Sequence, residues 1–364
     1  MSFEPIRQLD IENYGCIKKA SFALTPLHAL IGPNDSGKST TLQALRTAVR
    51  YALGDFDSEP NVKLDPKVGA SPNDSSIRVG YSDGLAYGIR LSQREFHIVG
   101  ESVFLNGAEI ANGVRDRSQP GVLDGTVIPR QPYEREPLAT FKDRISKATL
   151  VRFDPDYLRA PAQLIPESQG ISFADERGTG LASVFDAIVN RDPEAFARIQ
   201  SQVRTLFPSV AKVGLINVSN SQKEIAISLA DGTRVGAEGM SEGLLYYLGF
   251  AALQYIEGAR VFLVEEPENG LHPARIGEVM DTLREISKTS QVIIATHSPL
   301  VVNELEGHEV SVVTRDPALG TRTILLKDVP DFADASKVYR PGEFWVSYCD
   351  GNQEAPLLSE EPRS

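Results

Sequence analysis

The sequence predicts an α/β protein: a mostly parallel sheet core, an N-terminal antiparallel β lobe, and an inserted lid of helices and strands. Three observations carry that reading. An apolar run, Leu27, His28, Ala29, Leu30 and Ile31, leads into a glycine-containing octapeptide and then into an amphipathic pattern. In the last third, helical patterns alternate with short apolar runs, as parallel strands joined by helices require. Residues 76–110 carry Asp83-Gly84 and Asn106-Gly107, hairpin dipeptides flanked by β-type residues.

Taken in order, Leu9 and Ile11, then Ile17, Ala20 and Phe22, alternate as short strands do. The octapeptide 32–39 is Gly32, Pro33, Asn34, Asp35, Ser36, Gly37, Lys38, Ser39, followed by Thr40. It fits G-x-x-x-x-G-K-[ST], whose glycines let backbone N–H groups converge on phosphates; the lysine reaches the β and γ oxygens and the last hydroxyl joins a Mg²⁺ shell. Leu42, Leu45, Val49 and Leu53 recur at helical steps, which predicts a helix over 38–53. The bland alternative is a turn that binds nothing; a strand before it and a helix after it favour a loop that binds a nucleoside triphosphate.

Residues 55–75, rich in Pro, Asp, Ser and Gly, predict a surface loop. Short antiparallel strands follow over 76–110, and 111–137, with Pro120, Pro129, Pro132 and Pro137, predicts little regular structure. A helix is expected over 181–190 and a second to about Phe207, capped by Asp192-Pro193. Strands over 213–218 and 224–229 precede a helix over 241–257, a strand over 260–264, a helix over 273–288 and a strand over 291–296. The expected organisation is a single domain over 1–350: 1–54, strands, loop and first helix; 55–138, a β-rich insertion; 139–239, the lid; and 240–350, the rest of the core. Residues 351–364 are read as a frayed tail.

At 364 residues, 41% hydrophobic and 24% charged, the chain has the composition of a soluble globular protein. The longest apolar candidate, 244–256, is interrupted by Gly249 and Gln254 and is too short to span a bilayer. The N-terminus lacks a signal-peptide layout, and two distant cysteines, Cys16 and Cys349, suggest reduced thiols and a cytoplasmic setting. A net charge of -12 argues against a general nucleic-acid coat. Residues 142–159 carry Lys142, Arg144, Lys147, Arg152 and Arg159, which a solvated helix face explains as well as DNA binding does.

Three further motifs carry chemistry. The apolar run before Glu265 and Glu266 is a buried strand, and a parallel strand delivers its C-terminal residues to the ligand crevice. There one acid can hold Mg²⁺ and the next can orient the attacking water; an acidic strand end at the surface is the plain alternative. Gln291 to Thr296 forms another such strand, followed by His297, which can hydrogen-bond a γ-phosphate or be merely structural. Ser241, Glu242 and Gly243 open a helix, where a small-residue N-terminus can bind an anion, although Ser is also a common N-cap.

In order and spacing these motifs resemble the ABC-type ATPases. Within them the phrases Glu265-Glu266-Pro267-Glu268-Asn269-Gly270-Leu271-His272-Pro273 and Ala295-Thr296-His297-Ser298-Pro299 are similar to those of the stand-alone ATPases that include the ATPase part of OLD-family nucleases. The opening Leu9-Asp10-Ile11-Glu12-Asn13-Tyr14-Gly15 resembles the first strand of SMC- and RecF-type heads. The resemblance spans about residues 6–350 and implies an ABC-type ATPase head that uses ATP and Mg²⁺. It implies head-to-tail pairing, a homodimer or higher homo-oligomer, in which Ser241 and Gly243 of one copy cap the γ-phosphate held by Gly32, Asn34, Gly37, Lys38 and Ser39 of another. Glu265 assists the metal, Glu266 is the catalytic carboxylate, His297 the switch, and residues 269–272 couple the sites.

The chain departs from the wider pattern at two positions. Glu265 stands where most ABC enzymes have Asp, and Glu242 makes the signature Ser-Glu-Gly rather than Ser-Gly-Gly. No Mg²⁺-sensing glutamine is placed; Asp154, after an expected strand over 149–153, either takes that position or begins an ordinary turn. No adenine-stacking aromatic is evident, and Tyr14 is read as core. The resemblance implies an ATPase that switches a separate effector, a nuclease or toxin, in anti-phage defence. The alternative is a RecF-like clamp that closes on DNA, against which the acidic charge and the His297 motif count. A transporter subunit fits the opening strand and the signature less well.

Overall fold

The computed structural model describes residues 3–53, 74–92, 98–114, 144, 147–316 and 320–348. Most of the expected loop 55–75, residues 115–137 of the proline-rich stretch, Lys142, Cys349 and the tail lie outside these. The chain divides into two compact units: Met1–Thr149 with Arg260–Glu266 and Ser287–Ser364, and Leu150–Ala259 with Pro267–Ile286.

Along the chain, β1 (Gln8–Tyr14), β2 (Ile17–Ala23) and β3 (Leu27–Ile31) lead to α1 (Lys38–Ala52). Four strands follow: β4 (Ser75–Gly80), β5 (Leu85–Leu91), β6 (Ile98–Leu105) and β7 (Ala108–Val114). Next come β8 (Lys147–Val151), α2 (Pro155–Leu158), β9 (Ala162–Gln163), α3 (Leu181–Arg191) and α4 (Pro193–Leu206). After β10 (Val210–Asn217), β11 (Gln222–Leu229) and β12 (Arg234–Gly236), α5 (Glu242–Leu253) precedes β13 (Ala259–Glu265) and α6 (Ile276–Ile286). The chain continues through β14 (Gln291–Thr296), α7 (Pro299–Val302), β15 (Val310–Asp316), β16 (Gly320–Leu325), α8 (Phe332–Ala335) and α9 (Pro341–Tyr348).

In the first unit β2-β1-β4-β5-β6-β7 form a six-stranded sheet, antiparallel throughout. β4 pairs with β1, Ile77 opposite Ile11, so strands on either side of the first helix share one sheet. The β6–β7 turn has Asn106 at φ 51 and Gly107 at φ 83, the doubly left-handed backbone of a twist-matched hairpin. The second sheet runs β16-β15-β3-β14-β13-β8. Its strands β15, β3, β14 and β13 are parallel, and β16 joins antiparallel at the edge. α1 packs on β1, β4 and β5 of one sheet and on β14 of the other. Leu42, Ala44, Leu45 and Ala48 are fully buried there, each leucine contributing about 1.5–3 kcal/mol.

The second unit holds the antiparallel strands β10, β11 and β12, with β9 also paired to β11. Asp192 caps α4 by accepting from the Ala195 N–H at 2.8 Å. α5 is buried at every residue from Leu244 to Leu253, so it is a core helix with no solvent face. Phe153 stacks edge-on against Phe173 and Phe250, and a Cβ at Gly249 would lie 2.8 Å from the Phe153 ring.

The boundaries differ from expectation at four places. α5 stops at Leu253, followed by turns and left-handed Gly258 at φ 75. The helix expected from Pro273 begins as a single 3₁₀ turn. Residues 111–114 complete β7. The basic run 142–159 is no single helix face: it contains β8 and α2, Arg144 pairs with Asp83 at 2.7 Å, and Arg159 pairs with Asp156 at 3.3 Å.

Candidate active site

Strand register builds the site in the first unit. Glu265 lies opposite Ala295 in the β13–β14 pair, and Ala295 and Thr296 lie opposite Leu30 and Ile31 in the β14–β3 pair. All three strands are parallel, so their carboxyl ends emerge at one edge. Residues 32–39 follow β3, Glu266 follows β13 and His297 follows β14. The sequence-predicted group of Lys38, Glu265, Glu266 and His297 therefore shares one edge.

The loop's path is set by crowding. A Cβ on Gly32 would lie 1.9 Å from the Val313 carbonyl oxygen on β15, so only glycine fits. Asp35 and Gly37 are left-handed, at φ 63 and φ 108. Gly32, Ser36 and Gly37 are buried, Lys38 and Thr40 half-buried, and Pro33, Asn34, Asp35 and Ser39 exposed. The Lys38 ammonium donates to the Gly32 and Pro33 carbonyls, each at 2.8 Å. No side chain caps the N-terminus of α1 and no acid occupies its first turn, which suits that end to an anion. The residues present therefore fit a nucleoside triphosphate.

Among the described residues no cluster of three or more His, Cys, Asp or Glu side chains could hold a metal ion. A Mg²⁺ ion commonly takes one or two protein oxygens and completes its shell with water and phosphate oxygens. Ser39, exposed in the first turn of α1, and Glu265, half-buried at the end of β13, could each offer an oxygen to such an ion.

Glu266 is the unusual residue. It has φ 46, a left-handed backbone rare for a glutamate, and its N–H donates to Ala295 O at 2.8 Å. That hydrogen bond holds the peptide against β14. The His297 Nδ1 stands 3.5 Å from Glu266 Oε1, longer than a good hydrogen bond, and both side chains are exposed to solvent. Thr296, buried beside them, accepts from the Ser298 N–H at 2.9 Å and fixes the turn that presents His297.

In the second unit Ser241 occupies the N-cap position of α5, yet its side chain makes no capping bond. Ser241 is thus the N-cap by position, as the plain reading has it, but its exposed side chain does not cap the helix. A Cβ on Gly243 would approach Gly270 O at 3.6 Å, and Gly270, at φ 69, lies against the Tyr246 ring. The signature tip and the loop after the paired acids thus pack together. Asp154 caps α2 by accepting from the Asp156 N–H at 3.0 Å, as an ordinary turn residue does.

Sequence reasoning missed the residues that brace the phosphate loop. Thr321 on β16 donates to Ser36 O at 3.0 Å, and Cys16 Sγ lies 3.2 Å from Thr40 Oγ1. Neither belongs to a motif: Thr321 comes from the distant strand β16 and Cys16 from the turn between β1 and β2. Tyr14 is core as expected: it is buried, bonded to Thr47 at 3.0 Å, and burial pushes its hydroxyl up to about 12.

A phosphate loop, paired acids and a histidine on the carboxyl edge of such a sheet define an ABC-type ATPase head. Over residues 27–303 the chain matches the family described as "AAA domain, putative AbiEii toxin, Type IV TA system", and it belongs to that family. It is similar to the Old nuclease of Escherichia phage P2, with 23% identity over 399 aligned positions covering 98% of this chain and 66% of that protein. Its fold is similar to that of an SMC head bound to the C-terminal winged-helix domain of ScpA, with TM-score 0.57, 17% identity, and 92% and 99% of the two chains covered. It is also similar to a Pyrococcus furiosus SMC head with an extended coiled coil bound to the C-terminal domain of ScpA, with TM-score 0.52, 15% identity, and 93% and 100% covered. No helix among the described residues is long and apolar enough to cross a membrane.

Proposed function

We propose that this chain binds and hydrolyses ATP as one of two heads that pair head to tail, and that the cycle switches a separate effector, a nuclease or toxin, in anti-phage defence. The observation that carries the hydrolytic reading is the shared register of β3, β14 and β13, which brings Lys38, Glu265, Glu266 and His297 to one sheet edge. Lys38 and the first-turn N–H groups of α1 hold the phosphates, Ser39 and Glu265 hold the metal, and Glu266 orients the attacking water. His297, within 3.5 Å of Glu266, positions that carboxylate and senses the γ-phosphate. Mg²⁺, when bound, neutralises charge on the transferred phosphoryl group. The uncapped hydroxyl of Ser241 supports pairing, because in this reading it closes the site of a second copy. The effector rests on the kinship with a longer protein named as a nuclease, of which this chain spans 66%.

The test is a pair of measurements on purified protein. Mg²⁺-ATP should be hydrolysed by the wild type, while Glu266→Gln should bind ATP, lose turnover by a factor of about a hundred or more, and accumulate as a dimer in sedimentation. A Glu266→Gln protein that keeps wild-type turnover would end this reading.

A further inference from the structure

We propose that Glu242 is a built-in brake on head pairing: its carboxylate, at the signature tip, repels the triphosphate that Ser241 and Gly243 would close upon. The proposal rests on the head-to-tail reading above and goes beyond it, to what sets the threshold for closure.

α5 exposes only its first residues, because everything from Leu244 onward is buried. The tip is therefore Ser241, Glu242 and Gly243, with Ser241 and Glu242 exposed and Gly243 half-buried. Glu242 occupies the first helical position, one residue from the hydroxyl that has no capping role. It is not alone there. The Tyr246 hydroxyl, one turn into α5, is held above its usual pKa first by burial and then by the charges of Asp154, Glu242 and Asp156. Of those acids Asp156 is partly neutralised by Arg159, at 3.3 Å, and Asp154 spends one oxygen on its own turn. Among the described residues Glu242 makes no ion pair. The acids gathered near the tip, Asp154, Asp156 and the exposed Glu242, oppose the positive end of the α5 dipole.

A triphosphate brought to Ser241 meets those acids at close range. A carboxylate within a few ångströms of phosphate oxygens opposes the contact through Coulomb repulsion that water only partly screens. A glycine at this place leaves the helix N-terminus free to attract the anion. Closure consequently needs either a high occupancy of nucleotide or a cation or basic partner group that neutralises Glu242.

The experiment compares dimer dissociation constants by sedimentation with Mg²⁺-ATP, in the Glu266→Gln background, from low to moderate salt. Glu242→Gln should tighten the dimer on the order of tenfold at low salt over its two equivalent sites, and should flatten the strengthening by salt that the unmodified tip shows. Glu194→Gln, which removes an exposed first-turn acid of α4 in the same unit, makes the same change in net charge and should alter neither quantity. Equal dimerisation by the Glu242→Gln and Glu194→Gln proteins, or a looser Glu242→Gln dimer, would overturn the brake alone. Monomers in every variant, with fluorescent ATP analogue bound, would overturn the brake together with head pairing itself.

Discussion

Glu266 links backbone strain to chemistry. Its φ of 46 is left-handed, a conformation costing roughly 1–2 kcal/mol for a side-chain-bearing residue, and it precedes Pro267, which favours extended backbone at the residue before it. The N–H to Ala295 bond offsets part of that cost, and the geometry aims the carboxylate at His297. Strained residues persist where the surroundings over-determine them, which is frequent at active sites. Truncation separates the two effects. Glu266→Gly and Glu266→Ala should both abolish turnover, but the glycine variant should be more stable by about 1 kcal/mol, since only glycine takes this backbone without cost. Urea denaturation without nucleotide measures the difference; equal stabilities would mean that the backbone there is unstrained. The motif marked Glu266 in the sequence as a candidate at a strand's end, and the structure places it there, after β13. Its backbone was not legible, because a Glu-Pro pair on its own predicts the extended region.

At the scale of the element, β3 is both the easiest strand to read and the source of an acid sensitivity. All five of its residues are buried, including His28, whose ring nitrogens meet Ser311 Oγ at 2.9 Å and Thr25 Oγ1 at 3.1 Å. Burial, opposed in part by Glu309, lowers His28 from 6.5 to about 3. The folded state therefore keeps this ring neutral where the unfolded chain binds a proton. The stability it carries is complete above about pH 6.5 and is lost as pH falls toward 3, by about 1.4 kcal/mol per pH unit from this one group. His28→Gln, which can still hydrogen-bond Ser311, should reduce the slope of unfolding free energy between pH 6 and 4 by about one proton. An unchanged slope in denaturant titrations would show that His28 is not the group responsible. Uninterrupted apolar runs made β3 and β14 legible. β16 was not, since Gly320–Leu325 alternates threonine and arginine with few apolar residues, and the pairing of β4 with β1 is a long-range contact that no local pattern encodes.

For the whole molecule, the division into units sharpens the claim about pairing. Lys38, Glu266 and His297 belong to the first unit and Ser241 to the second. Their order along the chain was legible because each sits in a short motif; whether Ser241 serves its own copy or another is a property of an assembly, which one chain's sequence does not encode. Two closed sites related by a twofold axis would each take Lys38 from one copy and Ser241 from the other. Lys38→Ala and Ser241→Ala proteins should each be inactive alone, the first lacking its phosphate ligand and the second its closing hydroxyl. Mixed in equal amounts, they form heterodimers in which one site lacks both groups and the other has both. Random exchange makes half of the dimers mixed, so ATPase activity should return to about a quarter of the wild-type rate if the sites act independently, and to less if they are coupled. A mixture as inactive as its components, with dimers present in sedimentation, would place Ser241 in the site of its own chain and remove the reason for pairing head to tail.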